Sequence, residues 1–322
     1  MHDPLPTLDE MEMALADSGV VCPLTSLGIL HVAGEDSGEF LHNQLTQAVS
    51  DLGGSTTALA AWCNAKGRTR ALFRVVPSDT GMLLIADAEL LRAIQPRLQM
   101  FILRSRVALT DLSGSERLLG LAGPTAETLL TEAAGSLPVR PDGLTRAGDL
   151  HVIALPGDRG LRYLLLGPNE QIETFRQRFR DALTEGSEVF WRLQDIRAGL
   201  PAITPETSES IIPTMLNLEP LGGISYEKGC YPGQEVVARM HYRGQLKRRL
   251  YRARVAGDPP APGTPVNDLE GGEAGLVVSA AEAPGETSEM LAVLRIDKAG
   301  DEALTANGAS LELLELPYPP PA

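Results

Sequence analysis

Apolar residues recur along the chain in two rhythms. Ile29–Val32, residues 58–63, residues 69–76 and Met82–Ala86 are apolar runs of strand length. The second and third flank NAKGR and read as a hairpin with Lys66–Gly67 at its tip. Before them, the spacing of Phe40, Leu41, Leu45, Ala48 and Val49 predicts a helix opened by Asp36 or Ser37. Residues 88–103 predict an amphipathic helix that Pro96 can bend. Further strands are predicted at Arg106–Leu112, Arg117–Ala122, 151–155 and 162–166. Helices are predicted from Pro124 to about Ala133, over 169–183 and over 188–198, the last stopped at Gly199. Strand–helix units with hairpins mixed among them favour an α+β fold over a doubly wound parallel sheet.

Residues 1–23 read as a loosely ordered lead-in. Residues 200–230 hold several Pro and Gly with little periodicity, which predicts a long ordered loop, often a functional feature. Past Leu246 the pattern changes to short strands (248–256, 274–279, 290–296) separated by GDPPAPGTP and EAPGET. That predicts a small all-β domain, a barrel. The expected organisation is a lead-in at 1–23, an α+β core at 24–245 with a break near residue 113, and a β-barrel at 246–322.

Composition narrows the chemistry. A chain of 322 residues suits two or three domains, and 43% hydrophobic content suits a folded one. The net charge of −14 argues against wholesale binding to nucleic acid or an anionic membrane, so any polyanion site must be local. Cys22, Cys63 and Cys230 are far apart and form no CxxC, which indicates neither a disulfide framework nor a zinc site. The acidic N-terminal sequence does not read as a signal peptide, and no apolar run reaches the ~18 residues of a membrane span. The expectation is a cytoplasmic protein that makes no use of a membrane.

One segment stands apart from this acidic background. Between Lys228 and Arg254 there are eight Lys and Arg and one acid, Glu235. Pro232 suits the first position of a helix running through GQEVVARMHY, which would set Cys230 just before a helix N-terminus. Free amides there, with Lys228 beside them, favour a thiolate, and Glu235 and Arg239 are spaced as an i,i+4 pair. Two accounts stand at this point. In one, Cys230 is a small buried residue and the charges are a solvated surface. In the other, the cluster is a local polyanion site around a working thiol. The alternation of Leu250, Arg252 and Arg254 with Tyr251, Ala253 and Val255 fits a solvated strand edge for the distal half.

KGCYPGQE (228–235) resembles the signature of the YgfZ family of folate-binding proteins, relatives of the glycine-cleavage T-protein. FLHNQLTQAVSDL (40–52), AAWCNAKGR (60–68), LRSRVALTDLS (103–113), DIRAGLP (195–201), LNLEPLGGISYEKGCYPGQEVVAR (216–239), YRGQLKR (242–248) and LELLELPYP (311–319) are similar to family segments in the family's order. The resemblance implies α+β subdomains and a C-terminal β-barrel around a central channel that binds tetrahydrofolate. It also implies a role in assembling or maintaining iron–sulfur enzymes, including those that thiolate tRNA, with assembly or client proteins as partners. Cys230 maps to the family's functional thiol. Trp191 maps to a folate-contacting tryptophan, and Tyr226, Lys228, Gln234, Glu235 and Arg239 are the other candidate folate-binding residues. A second family tryptophan falls near Leu27–Gly28, where this chain has none.

The acidic pair that aminomethyl-transferring T-proteins carry past a Gly-Gly turn is replaced here by NAKGRTRALF (64–73), with Arg68 and Arg70. A carboxylate to steer a proton is missing, so an accessory protein is expected ahead of an enzyme. A folate-dependent one-carbon transferase or demethylase is the alternative. Direct tRNA binding through the basic stretch is the reading that the overall charge disfavours.

Overall fold

The computed structural model describes residues 5–244, 246–300 and 304–319. The chain opens with α1 (Leu8–Asp17) and β1 (Val20–Pro23), followed by β2 (Leu27–Ala33) and α2 (Ser37–His42). Then come β3 (Ala58–Cys63), β4 (Thr69–Ser78), β5 (Gly81–Asp87), α3 (Ala88–Gln99) and β6 (Ala108–Asp111). Next are β7 (Glu116–Ala122), α4 (Pro124–Ala134), β8 (Leu144–Ala147), β9 (Leu150–Gly157), β10 (Gly160–Pro168), α5 (Asn169–Phe179), β11 (Thr184–Glu185) and α6 (Glu188–Arg197). After a 3-10 turn at Pro213–Leu216 come α7 (Gln234–Arg243), β12 (Arg248–Ala256), β13 (Pro265–Asn267), β14 (Glu273–Ala283), β15 (Thr287–Arg295), β16 (Thr305–Ala306) and β17 (Ala309–Leu314). None of the described helices is long and apolar enough to cross a membrane.

Three sheets result, and the fold is mixed α+β with a closed barrel. The first has the order β3-β4-β5-β2-β6, the second β11-β1-β7-β10-β9-β8, and β12-β15-β14-β13-β16-β17 close on themselves. Helix α6 lies between the second sheet and the barrel, touching β1 and β9 on one side and β14 and β15 on the other. Its placement brings the three sheets around a common junction.

Several elements differ from the sequence expectation. The lead-in is not loose over its described part. Thr7 forms a reciprocal cap with Glu10 that starts α1, and β1 inserts between β11 and β7, with Val20 opposite both Thr184 and Ala122. Residues 1–4 of that lead-in lie outside the described residues. Helix α2 stops at His42, because the chain leaves it to pair with β3. Thr46 N donates to Ala61 O at 2.9 Å, and Ala61 N donates to Thr46 Oγ1 at 2.9 Å. Helix α3 keeps Pro96 inside but ends at Gln99, four residues early.

The junction is tied by buried charge. Glu289 on β15 is 2% exposed and accepts from Arg252 on β12 at 2.6 Å and from Arg197 on α6 at 3.2 Å. Arg197 also pairs with Glu12 of α1. Four charges of alternating sign thus link α1, α6 and two barrel strands.

Candidate functional site

The Cys230 segment is sewn to the chain that follows α2. Thr46 Oγ1 donates to Gly223 O at 2.6 Å and Ser225 N donates to Thr46 O at 2.9 Å. Lys228 Nζ donates to Leu45 O at 2.8 Å and also to His42 O, and it sits 4.7 Å from the centroid of the Tyr231 ring. Burial pushes the Lys228 ammonium down to about 8, and the nearby Cys230 sulfur opposes that shift. Burial, and then Lys228, lower the pKa of His42. Cys230 itself is exposed, whereas Cys22 and Cys63 are buried and their thiols are pushed up to about 12 by desolvation. The structure therefore offers one accessible thiol with an amine beside it, and sets aside the account in which Cys230 is a buried filler.

The helix after the thiol starts later than expected. Its first residue is Gln234, and Gly233 is the cap at φ 82°, not Pro232 at the first helical position. Gly233 is in contact with the β3–β4 hairpin: a Cβ there would lie 2.5 Å from Asn64 O and 2.7 Å from Gly67 Cα. Gln234 N donates to Tyr231 O, and Val236 N and Val237 N both donate to Gly233 O. Three of the first four amides are therefore used by the backbone, so the helix start is not an open cradle for a thiolate.

Tyr226 stacks on His241 with centroids 3.8 Å apart, and both reach Glu219, through Tyr226 Oη at 3.3 Å and His241 Nδ1 at 3.0 Å. Gln234 is half-buried, and Glu235 and Arg239 are exposed. Among the described residues no ion pair joins Glu235 to Arg239.

Trp191 lies elsewhere. Ser187 caps α6 by accepting from Phe190 N at 3.1 Å, and Trp191, 5% exposed, lies against Gly120 of β7. A Cβ at residue 120 would sit 2.5 Å from the indole ring. The Arg162 guanidinium is 4.4 Å from the ring centroid, donates to Pro156 O at 2.9 Å and pairs with Asp195.

Trp191 lines a cavity of about 200 Å³ at the junction of the three sheets, with Leu27 and Asp87 from the first, Leu24 from β1 onward, and Ser279 and Ala280 from the barrel. Its carboxylates are engaged: Asp87 accepts from Leu90 N at 2.8 Å, Glu188 from Ser26 N at 2.7 Å, and Asp195 from Arg162. Tyr226, Lys228, Gln234, Glu235 and Arg239 do not line this cavity. The candidate residues thus divide between a thiol turn and an aromatic cavity. Sequence reasoning missed Arg162, Asp195 and Gly120. The signal for Gly120 was present, since an isolated glycine inside an apolar strand marks a close approach.

Three cations of the distal half, on β12, are paired with acids. Arg248 pairs with Glu273 at 3.0 Å, Arg252 with Glu289 at 2.6 Å and Arg254 with Glu312 at 3.2 Å. Arg249 Nε donates to Tyr251 Oη at 3.0 Å. At the hairpin, Arg68 donates to Ser210 O, and Arg70 and Arg97 both reach Glu209, at 3.1 and 2.7 Å. These cations tie the 200–212 segment to the first sheet.

Residues 247–318 match the family model described as the CAF17 C-terminal beta-barrel domain. The chain is 33% identical over 319 residues, 94% of each chain, to the tRNA-modifying protein YgfZ of Yersinia pseudotuberculosis serotype O:1b. It is 30% identical over 228 residues, 71% of this chain and 69% of the other, to the tRNA-modifying protein YgfZ of Colwellia psychrerythraea. The crystal structure of the glycine cleavage system aminomethyltransferase T from Bartonella henselae shares the fold, with a TM-score of 0.76 at 14% identity over 98% of this chain and 91% of that one. The barrel match, the three-sheet architecture and the similarity running through both make this chain a member of the YgfZ family.

Proposed function

We propose that this protein binds tetrahydrofolate in the Trp191 cavity and acts in the cytoplasm as an accessory protein for assembling or maintaining iron–sulfur enzymes, including tRNA-thiolating ones. The observation that carries the folate reading is the cavity at the junction of the three sheets, with an indole in its wall held by Gly120 and Arg162. An aromatic surface with a few polar groups suits a flat heteroaromatic ring. At about 200 Å³ the cavity is smaller than the ~300–1,000 Å³ usual for whole ligands. It suits the pterin ring, with the glutamate tail passing outward near Arg192, an exposed cavity residue that has no ion-pair partner among the described residues. The names of the relatives support a tRNA-modification setting.

Cys230 serves the second half of this role toward protein partners, as the thiol open to solvent. One cysteine cannot supply the usual four thiolates of a cluster, so any cluster it touches is shared with a partner's thiols. An accessory role is preferred to one-carbon transfer because the cavity carboxylates that would move a proton all have structural partners.

The test is a titration of the full-length protein with tetrahydrofolate, read by calorimetry and by Trp fluorescence. Wild type is expected to bind with quenching, and Trp191→Phe to bind several-fold more weakly and lose the quench, because Trp62 is fully buried in the first sheet. Absence of both heat and quench in wild type would sink the proposal.

A further inference from the structure

Strand β14 carries a bulge. Gly275, Leu276 and Val277 pair with Leu294, Val293 and Ala292, and the ladder then resumes with Ser279 opposite Leu291. Val278 is the extra residue. Val277 and its partner Ala292 belong to the apolar filling of the barrel, whereas Val278 and Leu291 belong to the core that the barrel shares with the first sheet. Residues opposite each other in an antiparallel ladder lie on one face, so Ser279 shares the outer face of Leu291. Strict alternation from Val277 would have turned residue 279 into the barrel. The bulge reverses that parity and aims it outward.

Outward, at this point, is the cavity. Ser279 lines the same space as Trp191 and Asp195. The residue is 6% exposed, and its Oγ is buried without a hydrogen-bond partner. Buried hydroxyls are nearly always paired, and one that is not calls for an explanation. Here an irregularity in the strand delivers a polar atom into the wall of the cavity that also holds an indole.

We infer that Ser279 is a ligand-contacting residue whose hydroxyl hydrogen-bonds the polar edge of the heteroaromatic ring seated against Trp191. The inference rests on the cavity being the reduced-folate site. A pterin edge presents ring N–H groups and lone-pair acceptors, and a serine hydroxyl can satisfy either by rotation. The barrel thereby takes part in recognition as well as closing the cavity.

The test is calorimetry of wild type and Ser279→Ala against tetrahydrofolate and against tetrahydropterin, which has the ring without the glutamate tail, together with melting of the unliganded proteins. Loss of one hydrogen bond to the ring is expected to weaken both ligands by the same factor, about tenfold. The unliganded melting temperature is expected to stay level or rise, because the hydroxyl removed has no partner in the protein. Equal affinities in wild type and Ser279→Ala would overturn the role of Ser279 while leaving the cavity reading intact. Weakening of tetrahydrofolate alone would place the contact on the tail and overturn the ring assignment. Weaker binding accompanied by a clear drop in unliganded melting temperature would assign Ser279 a structural role instead. Failure of wild type to bind either compound would overturn the cavity reading and this inference with it.

Discussion

Glu289→Gln removes the negative charge from the junction while keeping the shape of the side chain. In the native protein Glu289 is 2% exposed and faces Arg252 at 2.6 Å and Arg197 at 3.2 Å, whose side chains are 16% and 13% exposed. The variant leaves two largely buried guanidinium groups facing a neutral amide. Breaking a buried ion pair by removing one partner costs about 3–5 kcal/mol. The retained amide oxygen still accepts a hydrogen bond, which puts the expected loss at the lower end, about 3 kcal/mol. At about 2–4 °C per kcal/mol for a large domain, melting should fall by about 6–12 °C. Differential scanning calorimetry of both proteins at one scan rate reads this. The control is Arg254→Met, whose partner Glu312 is 65% exposed. A surface pair contributes about 0–1 kcal/mol, so the control should move melting by no more than about 4 °C. If Glu289→Gln shifts melting no further than Arg254→Met, the four-charge link is not what holds α6 to the barrel. Because α6 carries Trp191, the same variant should also weaken any ligand of the cavity.

Two further outcomes follow from the site geometry. Gly120→Ala places a methyl 2.5 Å from the Trp191 ring, so the indole must shift into the cavity. Overpacking of this kind costs about 1–3 kcal/mol, and a loss of tetrahydrofolate affinity with a changed Trp emission spectrum is expected; unchanged binding would show that the ring is not fixed by that contact. Lys228 is expected to react with an acylating reagent with a midpoint near pH 8, where a lysine at the reference value of 10.5 would titrate more than two units higher. Its pKa is lowered on folding by burial, so the unfolded chain holds the proton more tightly between about 8 and 10.5, and this group's contribution to stability improves as pH rises through that window. Mass-spectrometric rates that place the midpoint near 10 would contradict the burial argument.

Local pattern carried much of the fold into the sequence. The hairpin over 58–78 and the α6 helix are written in short-range spacing, and each forms as that spacing predicts; β12 forms too, but paired on both sides by β15 and β17 rather than as the expected edge. What could not be read was long-range. The four residues of β1 make a strand only because β7 and β11, about a hundred and more residues away, supply partners on both sides. The site shows the same division. KGCYPGQE marked the thiol turn through its resemblance to a family signature, a match of consecutive residues, whereas the cavity wall depends on Gly120, Arg162 and Asp195 meeting Trp191 through tertiary packing. The partners of the β12 cations were hidden for a related reason: Glu273, Glu289 and Glu312, which pair with Arg248, Arg252 and Arg254, come from later strands that only barrel closure brings alongside.

The position of β1 also bears on how the protein is made. Val20 leaves the ribosome well before its parallel partner Thr184, which is far downstream. At about 5–20 residues per second, β1 waits on the order of 10–30 s before its second edge can be covered. During that interval Val20, Val21 and Cys22 form a short apolar segment with at least one open backbone edge, ready to pair with another nascent chain. The capped α1 immediately before it is the local structure available to shield that segment while the rest of the sheet is synthesised.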